Sequence, residues 1–180
     1  DVCEAIRDTF VLLKHSPDIK EHHILKADLP ENPVYISADP TQLKQIFWNL
    51  ARNSICAMPN GGVLSVKLED LSHNRIGIVF TDSGCGMSAA QVEQLFEPFS
   101  NSTNGGTGLG LSIVYQIVRD HGGVINVRSL ENEGTSITVK LPSSVQNSHA
   151  LSAENATENT ITVSRLEGFL NVQSRETDVL

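Results

Sequence analysis

Apolar residues recur along the chain with two different periods, and the change of period predicts alternating helices and strands. Val2, Ile6, Phe10 and Leu13 are three or four positions apart, as on one face of a helix. Residues 63–69 alternate between apolar and polar side chains, as in a strand with one buried face. In chain order we predict a helix over 2–13, strands over 24–29 and 34–37, a helix over 40–57, strands over 63–69 and 76–81 with a turn at 72–74, a short helix from 88 to about 96, a helix from about 108 to 121, and strands over 124–130 and 135–141.

Two of the predicted helices carry clear end signals. Asp39 is a good N-cap, Pro40 suits the first helical position, and Gln42 stands where a capping box needs it. Gly122 and Gly123 can end the later helix through a residue in the left-handed conformation. The whole pattern predicts an α/β (α+β) two-layer sandwich, in which helices cover one face of a mixed, mostly antiparallel sheet.

The composition changes after Pro142, which we take as the end of this domain. Residues 143–158 are mainly Ser, Asn, Ala, Thr and Glu, which bury little surface and predict a flexible segment. Apolar residues return over 161–170, where we predict a short docking element. The expected organisation is one domain over 1–142, followed by a C-terminal tail over 143–180.

Charge and composition exclude several function classes. The 180 residues include 13 Lys and Arg against 21 Asp and Glu, a formal charge of −8 with no basic cluster, so we expect no nucleic-acid partner. The longest uncharged stretch, 98–118, is rich in Ser, Asn, Thr and Gly in its first half, so we expect no membrane insertion by this piece. Three cysteines without a CxxC pair favour a reducing, cytoplasmic location over a disulfide framework.

Two asparagines lie beside the apolar face of the helix predicted after Asp39. Asn49 and Asn53 are one turn apart, at positions where helix propensity favours other residues. Their amide oxygens can ligate Mg²⁺ while water and phosphate oxygens complete the octahedron. Two solvated polar residues are the alternative interpretation.

A short motif follows the strand predicted over 76–81. Asp82 can accept a hydrogen bond from an exocyclic amine such as adenine N6, while Gly84 and Gly86 allow backbone to approach a ligand closely. A plain turn is the alternative. The motif also fits the dinucleotide pattern G-x-G-x-x-A ending at Ala89, but the helix after it is too short for that fold.

A glycine-rich stretch over 105–112 runs into the helix that begins near Gly108. Free N–H groups at a helix N-terminus suit an anionic phosphate. The stretch is not a Walker A loop, because the chain contains no Gly-Lys dipeptide. Small polar side chains over 100–106 are typical of a mobile lid, and a purely structural linker is the alternative.

Taken in order, these motifs resemble the N, G1, F and G2 boxes of the GHKL ATP-binding superfamily. The matching segments are Asn49-x-x-x-Asn53, Asp82-x-Gly84-x-Gly86, Phe96-Glu97-Pro98-Phe99 and Gly106-Thr107-Gly108-Leu109-Gly110-Leu111. Among its members the chain is most similar to the catalytic domain of two-component sensor histidine kinases, and residues 53–62 resemble the nitrogen-regulation-type subgroup.

The resemblance implies a role for each matching residue. Asn53 would ligate Mg²⁺ with Asn49 in support, and both would serve catalysis. Asp82 would bind adenine N6, Gly84 and Gly86 would shape the base pocket, and Thr135 would reach the adenine through water. The remaining implied groups are the phosphate-facing backbone of Gly106, Thr107, Gly108, Leu109 and Gly110, a lid over 100–107, and Phe96 and Phe99 as anchors of that lid.

Three departures from the family pattern shape the functional expectation. Many sensor kinases have a Lys where this chain has Cys56, and many carry a basic residue in the lid, whereas 97–118 has none. Phosphate neutralisation would then fall to Mg²⁺, backbone amides, Arg52 or a partner chain, so we expect weak nucleotide affinity. Hydrolysing relatives carry a general-base Glu where this chain has Asn49, which favours phosphoryl transfer over hydrolysis.

The resemblance therefore implies a kinase domain that acts on another domain. None of the six histidines has the sequence context of the phospho-accepting helix, and His121 is best explained as a helix-end residue. The expected function is to bind Mg²⁺-ATP and donate the γ-phosphate to a histidine on the dimerisation and phospho-acceptor domain of a parent kinase, a homodimer that serves a response regulator. The parent is cytoplasmic or a membrane-bound sensor with this domain in the cytoplasm. The alternatives are a serine-directed or anti-σ-factor kinase of the same superfamily and a pseudo-kinase interaction module.

Overall fold

A computed structural model describes residues 1–71, 74–99 and 108–143, together with the backbone of 161–162. Helices and strands alternate in this part of the chain, much as the hydrophobic pattern predicts. Their bounds are α1 (Val2–Lys14), β1 (His23–Asp28), α2 (Pro40–Cys56), β2 (Gly62–Leu71), β3 (Arg75–Asp82), α3 (Ala89–Glu93), α4 (Gly110–Asp120), β4 (Val124–Leu130), β5 (Gly134–Pro142) and β6 (Ile161–Thr162).

The strands form one mixed sheet in the order β1-β2-β3-β5-β4-β6. β1 pairs with β2 in parallel, and every other neighbouring pair is antiparallel. The parallel pair is joined through α2, as parallel strands require a crossover connection. The predicted mixed, mostly antiparallel sheet with helices over one face is confirmed.

The strand predicted over 34–37 is wrong, because this segment lies outside the sheet. Its backbone bonds to the start of α1 instead. The N–H of Val34 donates to Asp1 Oδ1 at 3.3 Å, and its carbonyl accepts from the N–H of Val2 at 2.8 Å. The same Asp1 side chain caps α1 by accepting from the N–H of Cys3 at 2.9 Å.

The other predicted ends differ by a few residues. The short helix α3 ends at Glu93 rather than near Phe96, and α4 begins at Gly110 rather than Gly108. The turn at 132–134 has left-handed backbone at Asn132, with φ 65°. Residues 72 and 73 of the other hairpin turn lie outside the described residues, as does 163–170 of the predicted docking element.

The hydrophobic core lies between the helices and one sheet face. α2 is central to it, since it packs on α1, on α4, and on β2 and β3. Phe47 of α2 and Phe80 of β3 are both buried, with ring centroids 5.8 Å apart. Burial of such side chains stabilises each by about 1.5–3 kcal/mol, so this contact fixes α2 over the end of β3. In the described part of the chain, no helix combines the length and apolarity needed to cross a bilayer.

The start of α2 is capped by Asp39, and the side chain of His121 joins it to the end of α4. Asp39 accepts from the N–H groups of Thr41 and Gln42 at 2.7 and 3.3 Å, and these bonds hold the pKa of its carboxyl below the usual value. The predicted reciprocal bond from Gln42 is wrong. The N–H of Asp39 donates instead to Nε2 of His121 at 3.3 Å, while Nδ1 of that ring lies 2.8 Å from the carbonyl of Ile117.

The end of α4 follows the predicted glycine pattern. Gly122 has φ 65°, the left-handed conformation that glycine adopts without strain. The N–H of Gly123 then bonds to the carbonyl of Val118 at 2.8 Å, closing the last turn. His121 comes directly before this turn. Its ring lies at the start of α2, where Nε2 accepts from the N–H of Asp39.

Replacing His121 by Ala is expected to lower the free energy of unfolding by about 1–2 kcal/mol, because it removes one cap of α4 and one of α2. Chemical denaturation followed by circular dichroism measures this change. His15 is the matched control, since Nδ1 of His15 makes the same bond one turn back, to Val11 at 2.8 Å, at the exposed end of α1. An equal loss in both variants would contradict a role for His121 in joining the two helices.

Candidate functional site

Asp82 ends β3 and is the only charged side chain buried within the described residues, at 7% exposed. Its Oδ1 accepts two backbone hydrogen bonds, from the N–H of Gly84 at 3.0 Å and from the N–H of Thr135 at 3.2 Å. The side chain of Ser54, on α2, faces the same carboxyl group and lowers its pKa. One carboxylate therefore joins three elements at the end of the sheet.

Burial raises the pKa of Asp82, and the hydrogen bonds from Gly84, Ser54 and Thr135 only partly offset that effect. An acidic group whose pKa lies above its value in the unfolded chain destabilises the fold once it ionises. A neutral side chain at this position would give the fold at least the same stability. A loss of stability of this kind is typical of a residue that serves binding or catalysis.

The backbone after Asp82 is held between α2 and the turn before β5. The N–H of Cys85 donates to the carbonyl of Ala57 at 3.1 Å, and the carbonyl of Cys85 accepts from the N–H of Asn132 at 2.7 Å. Gly84 is required here, because a Cβ at this position would stand 2.8 Å from Ala57 Cβ and 2.9 Å from Asp82 Oδ1. Gly86 has φ 64° and passes against the carbonyl of Leu130, which leaves no room for a side chain.

Asn49 and Asn53 project from α2 on the side where α4 begins. Asn49 is half-buried and Asn53 exposed. A Cβ on Gly110 would lie 3.3 Å from Asn49 Oδ1, so the first turn of α4 packs closely against this amide. Within the described residues, the N-cap residue Leu109 makes no side-chain cap bond, so the first-turn N–H groups of α4 near Asn49 have no cap from that side chain.

A backbone hydrogen bond joins the two residues that flank the predicted lid. The N–H of Phe99 donates to the carbonyl of Gly108 at 3.2 Å, and both residues have left-handed backbone, with φ 66° and 67°. Phe96 is buried against Tyr115, with ring centroids 5.6 Å apart. Phe99, in contrast, is 66% exposed, and the expectation that these two side chains anchor the lid stays a prediction. Gly106, Thr107 and the lid over 100–107 lie outside the described residues.

Arg52 forms an ion pair with Asp18. Its Nε binds Asp18 Oδ2 at 2.9 Å, and this contact raises the pKa of the guanidinium further. Burial likewise raises the pKa of the nearby Cys56 thiol, which keeps it neutral. Within the described residues, phosphate charge at this site would therefore meet backbone N–H groups and amides rather than a cation on α2.

The structure brings together most of the residues that the sequence singles out. Asp82, Gly84, Gly86 and Thr135 share one end of the sheet, because Asp82 is the register partner of Thr135. Of the other predicted site residues within the described part, Asn49 lies close to Gly110 where α2 meets the start of α4, and Gly108 and Leu109 directly precede that start. Asn53 lies one turn after Asn49 on α2.

Sequence reasoning missed two hydroxyl groups of the site. Ser54 is buried on the otherwise apolar face of α2, and its side chain lowers the pKa of Asp82. Ser129 Oγ lies 2.9 Å from Thr135 Oγ1 and donates to the carbonyl of Gly134 at 3.0 Å. A polar residue within an otherwise apolar helix face was the available signal for Ser54, whereas Ser129 gave none.

A cavity of about 580 Å³ opens at the opposite end of β2. Its lining includes Asp28, Asp70 and the ion pair of Lys67 with Glu69, whose N–O distance is 3.8 Å. It has no buried charge and no uncapped helix end, so we assign the functional site to Asp82 instead. Within the described residues, no three His, Cys, Asp or Glu side chains are grouped as a metal site would require.

Comparison with known proteins agrees with this geometry. The family described as histidine kinase-, DNA gyrase B-, and HSP90-like ATPase matches residues 38–145. Similar proteins include sporulation kinase E of Bacillus subtilis, 36% identical over 78% of this chain and 19% of that protein. Sensor histidine kinase ZraS of Escherichia coli K12 is 40% identical over 71% of this chain and 26% of its own length. The chain thus spans about a fifth to a quarter of these relatives.

A solved structure extends the likeness to the fold. The catalytic domain of the histidine kinase ThkA, in a nucleotide-free form, has a TM-score of 0.70 at 30% identity and covers 79% of this chain and 94% of its own. The family match spans more than half of the chain and includes Asn49, Asn53, Asp82 and Thr135. Because the family is one of ATPases, this is an ATP-binding domain. The chain belongs to the histidine kinase-, DNA gyrase B- and HSP90-like ATPases, and within them it is a catalytic domain of the histidine kinase type.

Proposed function

We propose that this domain binds Mg²⁺-ATP at the site around Asp82 and donates the γ-phosphate to a histidine on another domain of its parent kinase. The observation that carries the proposal is the buried carboxyl of Asp82 at the end of the sheet, joined through α2 to the uncapped start of α4. The Asp82 carboxyl can accept a hydrogen bond from the exocyclic amine of a purine base, and the N–H groups at the start of α4 can bind a triphosphate.

Adenine recognition would rest on the free oxygen of Asp82. Its Oδ1 already accepts from the N–H groups of Gly84 and Thr135, which fix the carboxyl plane. Ser54 and the Ser129–Thr135 hydroxyl pair complete a polar wall that a bridging water can join. Gly84 and Gly86 keep side chains away from the space next to that carboxyl.

The donor set fits Mg²⁺ that arrives with the nucleotide. Asn53 is exposed and Asn49 is half-buried beside Gly110, so their amide oxygens offer one or two ligands. Mg²⁺ commonly takes few protein ligands and fills its octahedron with water and phosphate oxygens. When bound, the ion neutralises phosphate charge. The residues of α2 position the triphosphate against the N–H groups of α4.

Transfer to a protein acceptor is favoured over hydrolysis of ATP. Asn49 occupies the position one turn before Asn53, and an amide cannot accept a proton from an attacking water. We infer that the acceptor is a histidine of the dimerisation domain in a homodimeric parent kinase, with a response regulator as the next recipient. The similar proteins, a sporulation kinase and a sensor histidine kinase, support this assignment.

The substitution Asp82→Asn is expected to lower ATP affinity by about 10- to 100-fold while the fold is kept. The Asn oxygen can still accept from Gly84 and Thr135, but its NH₂ group would face the adenine amine. Stability at neutral pH should not fall, because burial raises the pKa of Asp82 and ionisation of that group opposes folding. Calorimetric titration with ATP and ITP measures the effect. A variant that still preferred ATP over ITP as strongly as the parent would contradict the assigned role.

Affinity for Mg²⁺-ATP should be weak, with a Kd of about 1 µM or higher, because Arg52 is held by Asp18 and Cys56 is neutral. Cys56→Lys adds a cation three residues after Asn53 and should tighten binding by up to about tenfold. Cys56→Met is the neutral control. Nanomolar binding by the parent chain, or no difference between the two variants, would refute this explanation of weak affinity.

Phosphoryl transfer can be followed with γ-labelled ATP in a chimera in which this chain replaces the catalytic domain of ZraS. We expect acid-labile label on the acceptor region, reduced about 100-fold or more by Asn53→Ala. Asn60→Ala, in the loop after α2, is the control and should transfer normally. Acid-stable label would indicate hydroxyl phosphorylation, and release of free phosphate without labelled protein would indicate an ATPase; either would contradict the proposal.

A further inference from the structure

Three polar side chains lie side by side at one end of the sheet, on the face that the helices cover. Strand register pairs Asp82 of β3 with Thr135 of β5, and Thr135 with Ser129 of β4. Directly paired residues of antiparallel strands place their side chains on the same face of the sheet. Ile125 and Val127 share that face of β4 with Ser129, and both are buried. We call Asp82, Thr135 and Ser129 the polar row.

The carbonyl of Gly134 fixes the direction of both hydroxyl groups in the polar row. A carbonyl oxygen can only accept, so Ser129 Oγ, which lies 3.0 Å away, donates its one proton to Gly134. Ser129 Oγ also lies 2.9 Å from Thr135 Oγ1, and because its proton is already used, it can only accept there. The proton of the Thr135 hydroxyl therefore points to Ser129. Towards a third group, Thr135 Oγ1 can only accept.

The neighbouring donors are also used within the protein. The N–H groups of Thr135 and Gly84 both donate to Asp82 Oδ1, at 3.2 and 3.0 Å. Ser54 faces the same carboxyl group and lowers its pKa, as a hydrogen bond to the charged form does. A carboxylate itself has no proton to donate. Asp82 and Thr135 therefore offer hydrogen-bond acceptors to a base that lies against them.

Purine bases differ in what they present to such acceptors. Adenine carries an exocyclic amine, whereas hypoxanthine and guanine carry a carbonyl at the same ring position. The amine can donate to an acceptor, directly or through a water molecule. The carbonyl oxygen would meet acceptors only, and a ligand that leaves buried polar groups unpaired is rejected strongly. The polar row therefore favours adenine for as long as Thr135 donates to Ser129.

We propose that Ser129 is a positioning residue for base selection: by accepting the proton of Thr135, it prevents the Thr135 hydroxyl from donating to a base carbonyl. Without Ser129, that hydroxyl can rotate and donate towards the ligand, directly or through a water molecule. Ser129 would thus act on the base through Thr135. The inference rests on the proposed nucleotide site around Asp82 and adds a residue that sets its preference for adenine over 6-oxopurines.

Calorimetric titration of Ser129→Ala with ATP and ITP tests this role, because the base of ITP is hypoxanthine. The ratio of ATP affinity to ITP affinity should fall by about three- to tenfold relative to the parent. Ser129→Thr keeps a hydroxyl at this position and should retain the preference of the parent. A purely structural role of Ser129 predicts instead that both nucleotides weaken equally. An unchanged ratio in Ser129→Ala, or the same fall in Ser129→Thr, would overturn the proposal.

A second background tests whether the effect passes through Thr135. Thr135→Val removes the hydroxyl that Ser129 orients, so adding Ser129→Ala to it should change the ATP-to-ITP ratio by no more than about twofold. The two substitutions are then coupled, as expected for residues in contact. A further fall of about threefold or more in the double variant would show that Ser129 acts by another route and would overturn the proposal.

Asp82→Asn keeps this inference separable from the proposed function. If Asp82→Asn loses the preference for ATP while Ser129→Ala retains it, the positioning role of Ser129 is refuted and the nucleotide site at Asp82 stands. A parent chain that bound ATP and ITP equally well would refute the proposed adenine site, and the role of Ser129 with it.

Discussion

The site depends on one buried carboxyl group. Asp82 ends β3, and its Oδ1 holds the N–H of Gly84 in the following loop and the N–H of Thr135 on β5. Ser54 adds the bond from α2. Leaving a buried acceptor or donor without its partner costs about 1–3 kcal/mol, so these groups constrain each other strongly. The helix that carries Asn49 and Asn53 is thereby tied to the loop that shapes the base pocket.

Much of the fold follows from local sequence signals. Asp39 and Pro40 start α2, Gly122 ends α4, and the largely alternating burial in β3 and β5 defines the sheet face that the helices cover. Each signal involves residues that are close together in the sequence, so one amino-acid sequence is sufficient to recognise it. The site motifs were also readable, because each combines glycines or polar residues with a neighbouring strand or helix end.

The failures come from bonds between residues distant in sequence. The segment 34–37 has the residues of a strand, but the side chain of Asp1 and the backbone of Val2 bind its backbone. Gln42 was replaced as a capping partner by His121, which is 82 positions from Asp39 along the chain. The ion pair of Arg52 with Asp18 likewise joins residues 34 positions apart. Sequence spacing alone cannot give such pairings, because they exist only once the helices have packed.

The central claim is that one nucleotide contacts both Asp82 and the start of α4. A backbone NMR titration with Mg²⁺ and a non-hydrolysable ATP analogue tests it most directly. The amide signals of Gly84, Thr135 and Gly110 should shift together along a single binding curve. Shifts confined to the residues around the 580 Å³ cavity at the other end of β2, such as Asp28 and Asp70, would contradict the account.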